Sequence, residues 1–259
     1  MVAPFSLYHH VIEQVDGVQV LVGEACAVAS VPLLRGMFEA SLQLEYMHAE
    51  KDRFQLRSLA WLCSHLREKI RIYGRLDPET GPGREFRASW EGEMAQHLRT
   101  YDLDEGATRQ SRQNLSTLLK SPHLKEISEE LSKGPNKPWY FAFGGPPNLR
   151  ELARALGRVV EYDIQYRRWS SAVHGSDADL YLVETGMDQG SFRVIRDPQS
   201  LARASWWAVG LLLRTTRLML DVYRTGESLQ KWYLEDVRAP WDRLAEMESR
   251  IDYRPAPPI

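Results

Sequence analysis

The sequence contains very little cysteine: Cys26 and Cys63 are the two present in 259 residues, and they do not form a CxxC pair. Closely spaced cysteines are the usual signature of a disulfide framework or a zinc site. Both cysteines lie in apolar stretches with helical periodicity. We therefore expect two reduced, buried thiols, and the sequence argues against a disulfide or a metal held by cysteine.

The chain also lacks a surplus of positive charge and a long hydrophobic run. Its formal net charge is −2, whereas proteins that hold nucleic acid by non-specific phosphate contacts usually carry a basic surplus. A local basic site is still compatible with this balance. The least polar stretch, residues 17–34, contains Glu24 and Pro32 and is marginal in length for a membrane span. No signal-like segment opens the chain, so we expect a cytoplasmic protein without a membrane segment.

Motifs that bind metals or cofactors are missing as well. The sequence has no HExxH pair, no set of Asp, Glu and His at metal-ligand spacing, and no glycine-rich phosphate loop. The segment GGPPN beginning at Gly144 does not qualify, because its two prolines remove backbone donors. We therefore expect neither a metal nor a cofactor.

What the sequence does contain is helical periodicity over most of its length. Apolar residues recur with a period of about 3.6 residues, which is typical of amphipathic helices. The strongest helices are predicted at residues 33–50, 52–74, 149–175 and 200–223, and the WWAVGLLL segment of the last one is predicted to be core. Alternation typical of strands occurs at residues 180–183 and 192–195, with GMDQGS between them as the turn. The predicted fold class is mainly α, a multi-helix bundle with one small β-hairpin from Leu180 to Ile195.

The length favours one domain with a small appendage. We expect a single helical domain over residues 1–259, with a polar helical insertion at about residues 77–131 and a disordered tail at about residues 252–259. Residues 132–148 carry a WYFAF cluster between prolines and glycines. This composition predicts an ordered loop held by aromatic side chains, because a flexible linker would not carry them.

The segment VEYDIQYRRWSSAVHG, residues 160–175, combines chemically useful side chains at helical spacing. Tyr162, Tyr166, Ser170 and His174 follow each other at intervals of four residues, so they share one face of a helix. Arg167 lies seven residues before His174, which is nearly two turns, and occupies a neighbouring stripe. One helix face is therefore predicted to carry phenols, hydroxyls, a guanidinium and an imidazole.

A second polar pair lies on the otherwise apolar helix at residues 33–50. Arg35 and Glu39 are four residues apart, which allows an intrahelical ion pair. If the pair is exposed, it contributes about 0.3 kcal/mol. If it is partly buried, it orders a neighbouring element, and the Tyr/Ser/His face is the natural candidate.

These two stretches together resemble a widespread bacterial family of unknown function. The family's Arg-x3-Glu helix is matched by Arg35 and Glu39 in LLRGMFEASLQLEYMH. Its Tyr-x3-Tyr-x3-Ser-x3-His pattern is matched in ELARALG…YDIQYRRWSSAVHGS. The resemblance implies an all-helical fold and names candidate residues. It implies no reaction, because the family carries no established activity.

The same segment is more weakly similar to HEPN-type helical domains, many of which are metal-independent ribonucleases of toxin and phage-defence systems. Their signature is an arginine followed, after four to six residues, by a histidine. Arg168-x5-His174 and Arg167-x6-His174 both satisfy it. Helical geometry favours Arg167, because Arg168 points about a third of a turn away. The resemblance implies RNA as the substrate and a homodimer with the site at its two-fold interface.

Two interpretations of this helix face stay open, one catalytic and one structural. If it is catalytic, His174 moves a proton, Arg167 stabilises charge on a phosphate, and Ser170 or Tyr166 orients the imidazole. These groups suffice for cleavage of RNA by its own 2′-hydroxyl without a metal. If the face is structural, its side chains form hydrogen bonds between helices, with Arg35 and Glu39 as partners. The chain is then a non-catalytic helical module that binds a nucleotide or a cognate protein from the same operon.

Overall fold

The computed structural model describes residues 2–89, 105–134, 136–174, 182–186, 189–192, 196, 200–227, 229–240 and 242–243. The chain divides into two compact units: unit 1 comprises Met1–Lys51 with Leu149–Ile259, and unit 2 comprises Asp52–Asn148. The segment between the two parts of unit 1 is therefore longer than the insertion expected at about residues 77–131. A single domain over the whole chain stays a prediction, and the tail expected at residues 252–259 lies outside the described residues.

The fold is mainly helical, as predicted. Within the described residues, the helices in chain order are α1 (Ala3–Gly23), α2 (Val31–His48), α3 (Phe54–Leu76), α4 (Gly81–Ala88), α5 (Glu105–Leu119), α6 (Pro122–Ser132), α7 (Leu149–Ala155), α8 (Val159–Glu161), α9 (Arg167–His174), α10 (Leu201–Tyr223) and α11 (Gln230–Trp232). The π-helical segments πA (Tyr162–Tyr166) and πB (Tyr233–Arg238) follow α8 and α11. Short 3-10 turns lie at Val28–Ser30, Lys51–Arg53 and Trp139–Gly144. No described helix is long and apolar enough to cross a membrane.

Helix α2 lies at the centre of unit 1, where it contacts α1, α7, α9 and α10. It begins with Val31 and Pro32, and the fixed φ of proline suits the first turn of a helix. Its fully buried apolar side chains are Met37, Phe38, Leu42, Leu44 and Met47. Because these side chains point in several directions around the helix, α2 can bury contacts with four neighbours at once. With neighbours on several sides, the polar side chains of α2 such as Glu39 and Glu45 also contact other helical segments.

The helix predicted at residues 149–175 is interrupted twice. Gly157 ends α7 with φ +70°, a left-handed conformation that glycine adopts without a steric penalty. Further on, the backbone N–H of Arg167 donates to the carbonyl of Tyr162, five residues earlier, which defines the π turn of πA. A π turn adds one residue to the helical repeat. Residues four apart on either side of πA therefore do not superpose as they would in a regular α-helix.

The predicted hairpin is not supported in the form expected from the sequence. Leu182–Gly186 (β1) pairs antiparallel with Gln189–Phe192 (β2), and Leu182 lies opposite Phe192. Most of β2 therefore falls in the segment predicted as the turn, and the pairing is irregular between Glu184 and Gly186. Glycine-rich strands specify their register weakly, which explains the wrong boundaries. The ends of the predicted range, residues 180–181 and 193–195, lie outside the described residues.

Unit 2 is organised around α3, which contacts α4, α5, α6 and the 3-10 turn Trp139–Gly144. Trp139 and Tyr140 are buried, and their rings meet edge to face with centroids 5.6 Å apart. The loop at residues 132–148 is thus held by aromatic side chains, as predicted. Cys63 is buried in the same unit as a free thiol, and burial raises its pKa to about 11. Cys26, in unit 1, is also a free thiol, but it is partly exposed, so the expectation that both thiols are buried was wrong for this residue.

Candidate functional site

The structure brings Tyr166 of the predicted face into contact with the Arg35–Glu39 pair. The Tyr166 hydroxyl donates to Glu39 Oε1 at 2.7 Å, and Arg35 Nε donates to the same carboxylate oxygen at 3.0 Å. Arg35 Nε also donates to the Tyr166 oxygen at 3.2 Å. Arg35 and Glu39 expose 25% and 34% of their side chains, so the pair is partly buried. The three residues form a closed triad between α2 and πA.

This triad is structural in character. Tyr166 is 7% exposed, and its ring lies 5.7 Å from the ring of Phe38. Burial, reinforced by the Glu39 carboxylate, raises the pKa of Tyr166 well above its ordinary value. The phenol therefore stays neutral and acts as a hydrogen-bond donor to Glu39. Tyr162 stacks on Tyr166 with ring centroids 4.8 Å apart and is partly exposed.

The other members of the predicted face lie away from this triad. Arg167, Arg168 and His174 are exposed on α9, and Ser170 is partly exposed. His174 lies eight positions after Tyr166, which corresponds to about 12 Å along the helix axis. Among the described residues, neither the Ser170 hydroxyl nor the His174 ring has a hydrogen-bond partner. The face is therefore divided into a buried end at Tyr166 and an exposed end at His174.

Sequence reasoning missed a second polar network, which is centred on Arg158. This arginine is 4% exposed and lies directly after the Gly157 turn. Its Nη1 donates to Ser41 Oγ at 2.9 Å and to Glu45 Oε1 at 2.7 Å. Its Nε donates to both carboxylate oxygens of Glu161 at 3.1 and 3.2 Å. A buried guanidinium is thus held by two carboxylates and a hydroxyl.

The two carboxylates around Arg158 differ in their protonation behaviour. Burial raises the pKa of Glu45 above its ordinary value, and the nearby Arg158 compensates only in part. Burial opposes ionisation of Glu161 as well, but Arg158 and Arg214 outweigh it and lower its pKa. Arg214 Nη1 donates to Glu161 Oε1 at 3.0 Å. Glu161 therefore links the buried Arg158 to the more exposed Arg214 on α10.

Arg158, Glu161 and Arg214 open onto a cavity of about 460 Å3, here called cavity A. The residues that line cavity A are Arg158, Glu161, Trp206, Trp207, Gly210, Leu211, Leu213, Arg214, Arg217, Tyr233 and Arg238. Four of them are arginines, one is a carboxylate and three are aromatic. Trp206 is 36% exposed, so the expectation that the WWAVGLLL segment is core was wrong for this residue. All of these residues belong to unit 1.

One sequence signal could have indicated cavity A. Four of the lining residues follow each other at intervals of three, four and three, which places them on one stripe of α10: Trp207, Gly210, Arg214 and Arg217. Both π-helical segments also border the cavity. Glu161 directly precedes πA, whereas Tyr233 and Arg238 are the first and last residues of πB. π turns occur frequently at functional sites, and they leave no mark in hydrophobic periodicity.

Metal binding has no support in the described part of the chain, where no group of three or more His, Cys, Asp or Glu side chains is placed to hold a metal ion. The chemistry of the site is instead that of arginines and aromatic rings. Arginine binds phosphate through paired N–H donors, and aromatic rings stack on planar ligands. Cavity A therefore suits an anionic ligand that contains a ring.

The fold and the cavity define a mainly helical protein with an arginine- and aromatic-lined site in unit 1. The chain belongs to DUF5677, a family of unknown function, whose model matches residues 1–191. No curated protein and no solved structure matches the chain. The matched region contains Arg158, Glu161 and the Tyr166 triad. The α10 and πB residues of cavity A lie beyond it.

Proposed function

We propose that unit 1 is a helical module that binds a nucleotide in cavity A. The observation that carries this proposal is the lining of the cavity, in which four arginines face one carboxylate and three aromatic side chains. Each of these guanidinium groups already contacts a carboxylate, so a phosphate would bind in exchange for part of these contacts. The aromatic side chains favour a base. The volume of about 460 Å3 falls within the range of small-molecule sites.

The arginines of cavity A differ in how firmly they are held. Arg158 is buried and bound by Glu45 and Glu161, so its guanidinium group is held in place. Arg214 and Arg217 expose 47% and 67% of their side chains. Their guanidinium groups have room to turn towards a ligand. A phosphate would replace part of the Arg214–Glu161 contact and gain the unused donors of Arg214 and Arg217.

Titration calorimetry with ATP, adenosine and inorganic phosphate tests the proposal. We expect ATP to bind and adenosine to bind much more weakly, because the arginines select the phosphates. Arg214→Ala should weaken ATP binding by about tenfold or more, since it removes a charged hydrogen-bond donor. Arg203→Ala is the matched control, because Arg203 is exposed on the same helix but does not line the cavity.

Two results would contradict the proposal. One is the absence of ATP binding to the wild-type protein. The other is an equal loss of affinity in Arg214→Ala and Arg203→Ala, which would indicate general charge attraction to α10 instead of a defined site. Intrinsic fluorescence gives an independent readout, because Trp206 and Trp207 line cavity A and a stacked base should quench them.

A second candidate function is metal-independent cleavage of RNA at the exposed end of α9. It is favoured by the exposure of both Arg167 and His174, which lie seven residues apart on the same helix. In this proposal the protein is an effector of a toxin or phage-defence system and acts as a homodimer. RNA would be its substrate, and a protein from the same operon would be its regulator.

Incubation of the purified protein with diverse RNAs in the presence of a chelator tests this candidate. We expect His174→Ala and Arg167→Ala to lose cleavage while they keep the wild-type melting temperature, because both residues are exposed. Arg203→Ala is the control, because Arg203 is an exposed arginine of α10, whereas Arg168→Ala tests the second arginine of the signature. RNA that stays intact with the wild-type protein, or a monomer mass in light scattering at micromolar concentration, would count against it.

A further inference from the structure

Two neighbouring apolar side chains lie exposed on the surface of unit 1. Val160 of α8 and Ile164 of πA have exposed fractions of 65% and 69%. They are four residues apart on one helical segment, so their side chains lie next to each other. Single exposed apolar residues are ordinary on protein surfaces, whereas adjacent ones that form a patch mark a contact site for another molecule.

The π turn of πA brings Arg168 into line with this apolar pair. An α turn takes about 3.6 residues and a π turn about one residue more, so one turn of each kind spans about eight residues. Val160 and Arg168 are eight positions apart, with πA between them. In an uninterrupted α-helix, Arg168 would be rotated by about 80° away from Val160. Val160, Ile164 and Arg168 therefore form one line along the helix, here called the exposed stripe.

The positive charge at the end of the exposed stripe is not compensated. Residues 149–174 contain three carboxylates and five arginines. Each carboxylate contacts an arginine from the first part of this segment: Glu151 contacts Arg154, Asp163 contacts Arg150, and Glu161 contacts Arg158. Arg167 and Arg168 are exposed and make no ion pair or side-chain hydrogen bond with any described residue. The exposed stripe thus ends at one free guanidinium group, with a second free one beside it.

This combination of apolar surface and free positive charge favours one kind of occupant. In a symmetric pair of chains joined through the exposed stripe, the same cationic surface would meet itself, and like charges oppose such a contact. An RNA strand would satisfy the guanidinium groups, but Val160 and Ile164 offer it no aromatic ring on which a base could stack. A protein helix that carries apolar side chains next to carboxylates satisfies both parts of the stripe.

We propose that the exposed stripe binds an acidic amphipathic helix of a partner protein. Apolar side chains one turn apart on the partner cover Val160 and Ile164, and its carboxylates pair with Arg168 and Arg167. This contact is independent of nucleotide binding, because none of these four residues lines cavity A.

Fluorescence anisotropy with two synthetic peptides tests the proposal. Each peptide is a helix of about four turns with leucines one turn apart on one face, and a covalent staple keeps it helical because short free helices are marginal in water. The positions beside the leucines are glutamate in the acidic peptide and lysine in the basic peptide. We expect the acidic peptide to bind more tightly by about tenfold or more, because the free arginines attract it and repel the other.

Variants test the two parts of the exposed stripe separately. Arg167→Glu together with Arg168→Glu should reverse the preference, so that the basic peptide binds more tightly. Ile164→Gln should weaken the acidic peptide by about tenfold, because it removes apolar contact area without changing the charge. Arg203→Glu and Val20→Gln are the matched controls, since they change an exposed arginine and an exposed valine elsewhere in unit 1, and both should bind as the wild type does. Circular dichroism checks that every variant keeps the wild-type helix content.

Four results would overturn the proposal. Two of them concern the peptides: the acidic peptide fails to bind more tightly than the basic one, or Ile164→Gln binds it no more weakly than Val20→Gln does. The third is an RNA oligonucleotide that binds where the acidic peptide does not and is lost in Arg168→Glu, which would make the stripe a nucleic-acid surface. The fourth is a dimer in light scattering that Ile164→Gln dissociates, which would make the stripe a contact between two copies of the chain.

Discussion

The phenolic hydroxyl of Tyr166 donates a hydrogen bond of 2.7 Å to Glu39 Oε1, although 127 residues separate them in the sequence. Arg35 completes the contact, since its Nε reaches both the carboxylate and the phenolic oxygen. The Arg35–Glu39 pair therefore meets the Tyr166 end of the polar segment at residues 160–175. Their contact fixes πA on α2 and orients α9, which follows πA directly and carries His174 at its end.

The first prediction concerns Glu39→Ala. The substitution leaves Arg35 and the Tyr166 hydroxyl without their acceptor in a partly buried site, so we expect the free energy of unfolding to fall by about 1 to 2 kcal/mol. For a chain of this size the melting temperature should fall by a few degrees, roughly 2 to 8 °C. Circular dichroism against temperature measures the change. Glu13→Ala on α1 is the control, because the Glu13 side chain is 62% exposed, and an equal effect in both variants would contradict the structural role.

Much of the fold could be predicted from periodicity where an apolar face is continuous. The helix predicted at residues 33–50 is observed as Val31–His48, and the one predicted at 200–223 is observed as Leu201–Tyr223. The helix predicted at 149–175 was less accurate. Its breaks depend on one left-handed glycine, Gly157, and on the π turn of πA, which is defined by backbone hydrogen bonds and leaves the apolar pattern unchanged.

The candidate site was predictable only in part, for a related reason. The contact of Tyr166 with Arg35 and Glu39 was one of the alternatives, because all three stood out as polar residues at helical spacing. The contacts of Arg158 with Ser41 and Glu45 join residues 117 and 113 positions apart. A single sequence does not show which distant helices pack together, so these partners could not be paired in advance.

The second prediction concerns Arg158→Ala. The variant leaves the carboxylates of Glu45 and Glu161 without the guanidinium that compensates for their burial, and breaking a buried pair of this kind costs about 3 to 5 kcal/mol. We expect a large loss in the free energy of unfolding, measured by urea titration. Arg154→Ala is the control one turn earlier, because Arg154 is 51% exposed and an exposed pair contributes less than about 1 kcal/mol. Similar losses in the two variants would contradict the special contribution of the buried Arg158 network.

The third prediction concerns pH and His48. The neutral ring fits its surroundings, since Nδ1 lies 2.8 Å from the Leu44 carbonyl and Nε2 lies 3.1 Å from the Tyr223 hydroxyl. Burial lowers the pKa of His48 below its ordinary value. The unfolded chain therefore takes up a proton at a higher pH than the folded chain does. The stability that His48 contributes is present above about pH 6.5 and is lost as the pH falls below that value.

Urea titrations between pH 7.5 and pH 5, with approximate half-unit steps, measure this effect. We expect the fall in stability to be smaller in His48→Gln than in the wild type, because glutamine does not titrate. His9→Gln should follow the wild-type curve, since His9 is an exposed residue of α1. If His48→Gln retains the full wild-type dependence on pH, the buried ring does not contribute to it.

The last prediction concerns two glycines in the first turn of α4, in unit 2. A Cβ atom at Gly83 would lie 1.8 Å from the backbone carbonyl oxygen of Asp77, which is too close for any side chain, whereas a Cβ at Gly81 would have no atom within 4 Å. Gly83 also donates its N–H to the hydroxyl of Thr80, so a shift of the backbone would weaken this N-cap.

We expect Gly83→Ala to lower the free energy of unfolding by about 1 to 3 kcal/mol. Gly81→Ala should have little effect or stabilise the helix slightly, because alanine restricts the unfolded chain more than glycine does. Thermal melts of both variants measure the difference, and equal melting temperatures would rule out the close approach of Gly83 to Asp77.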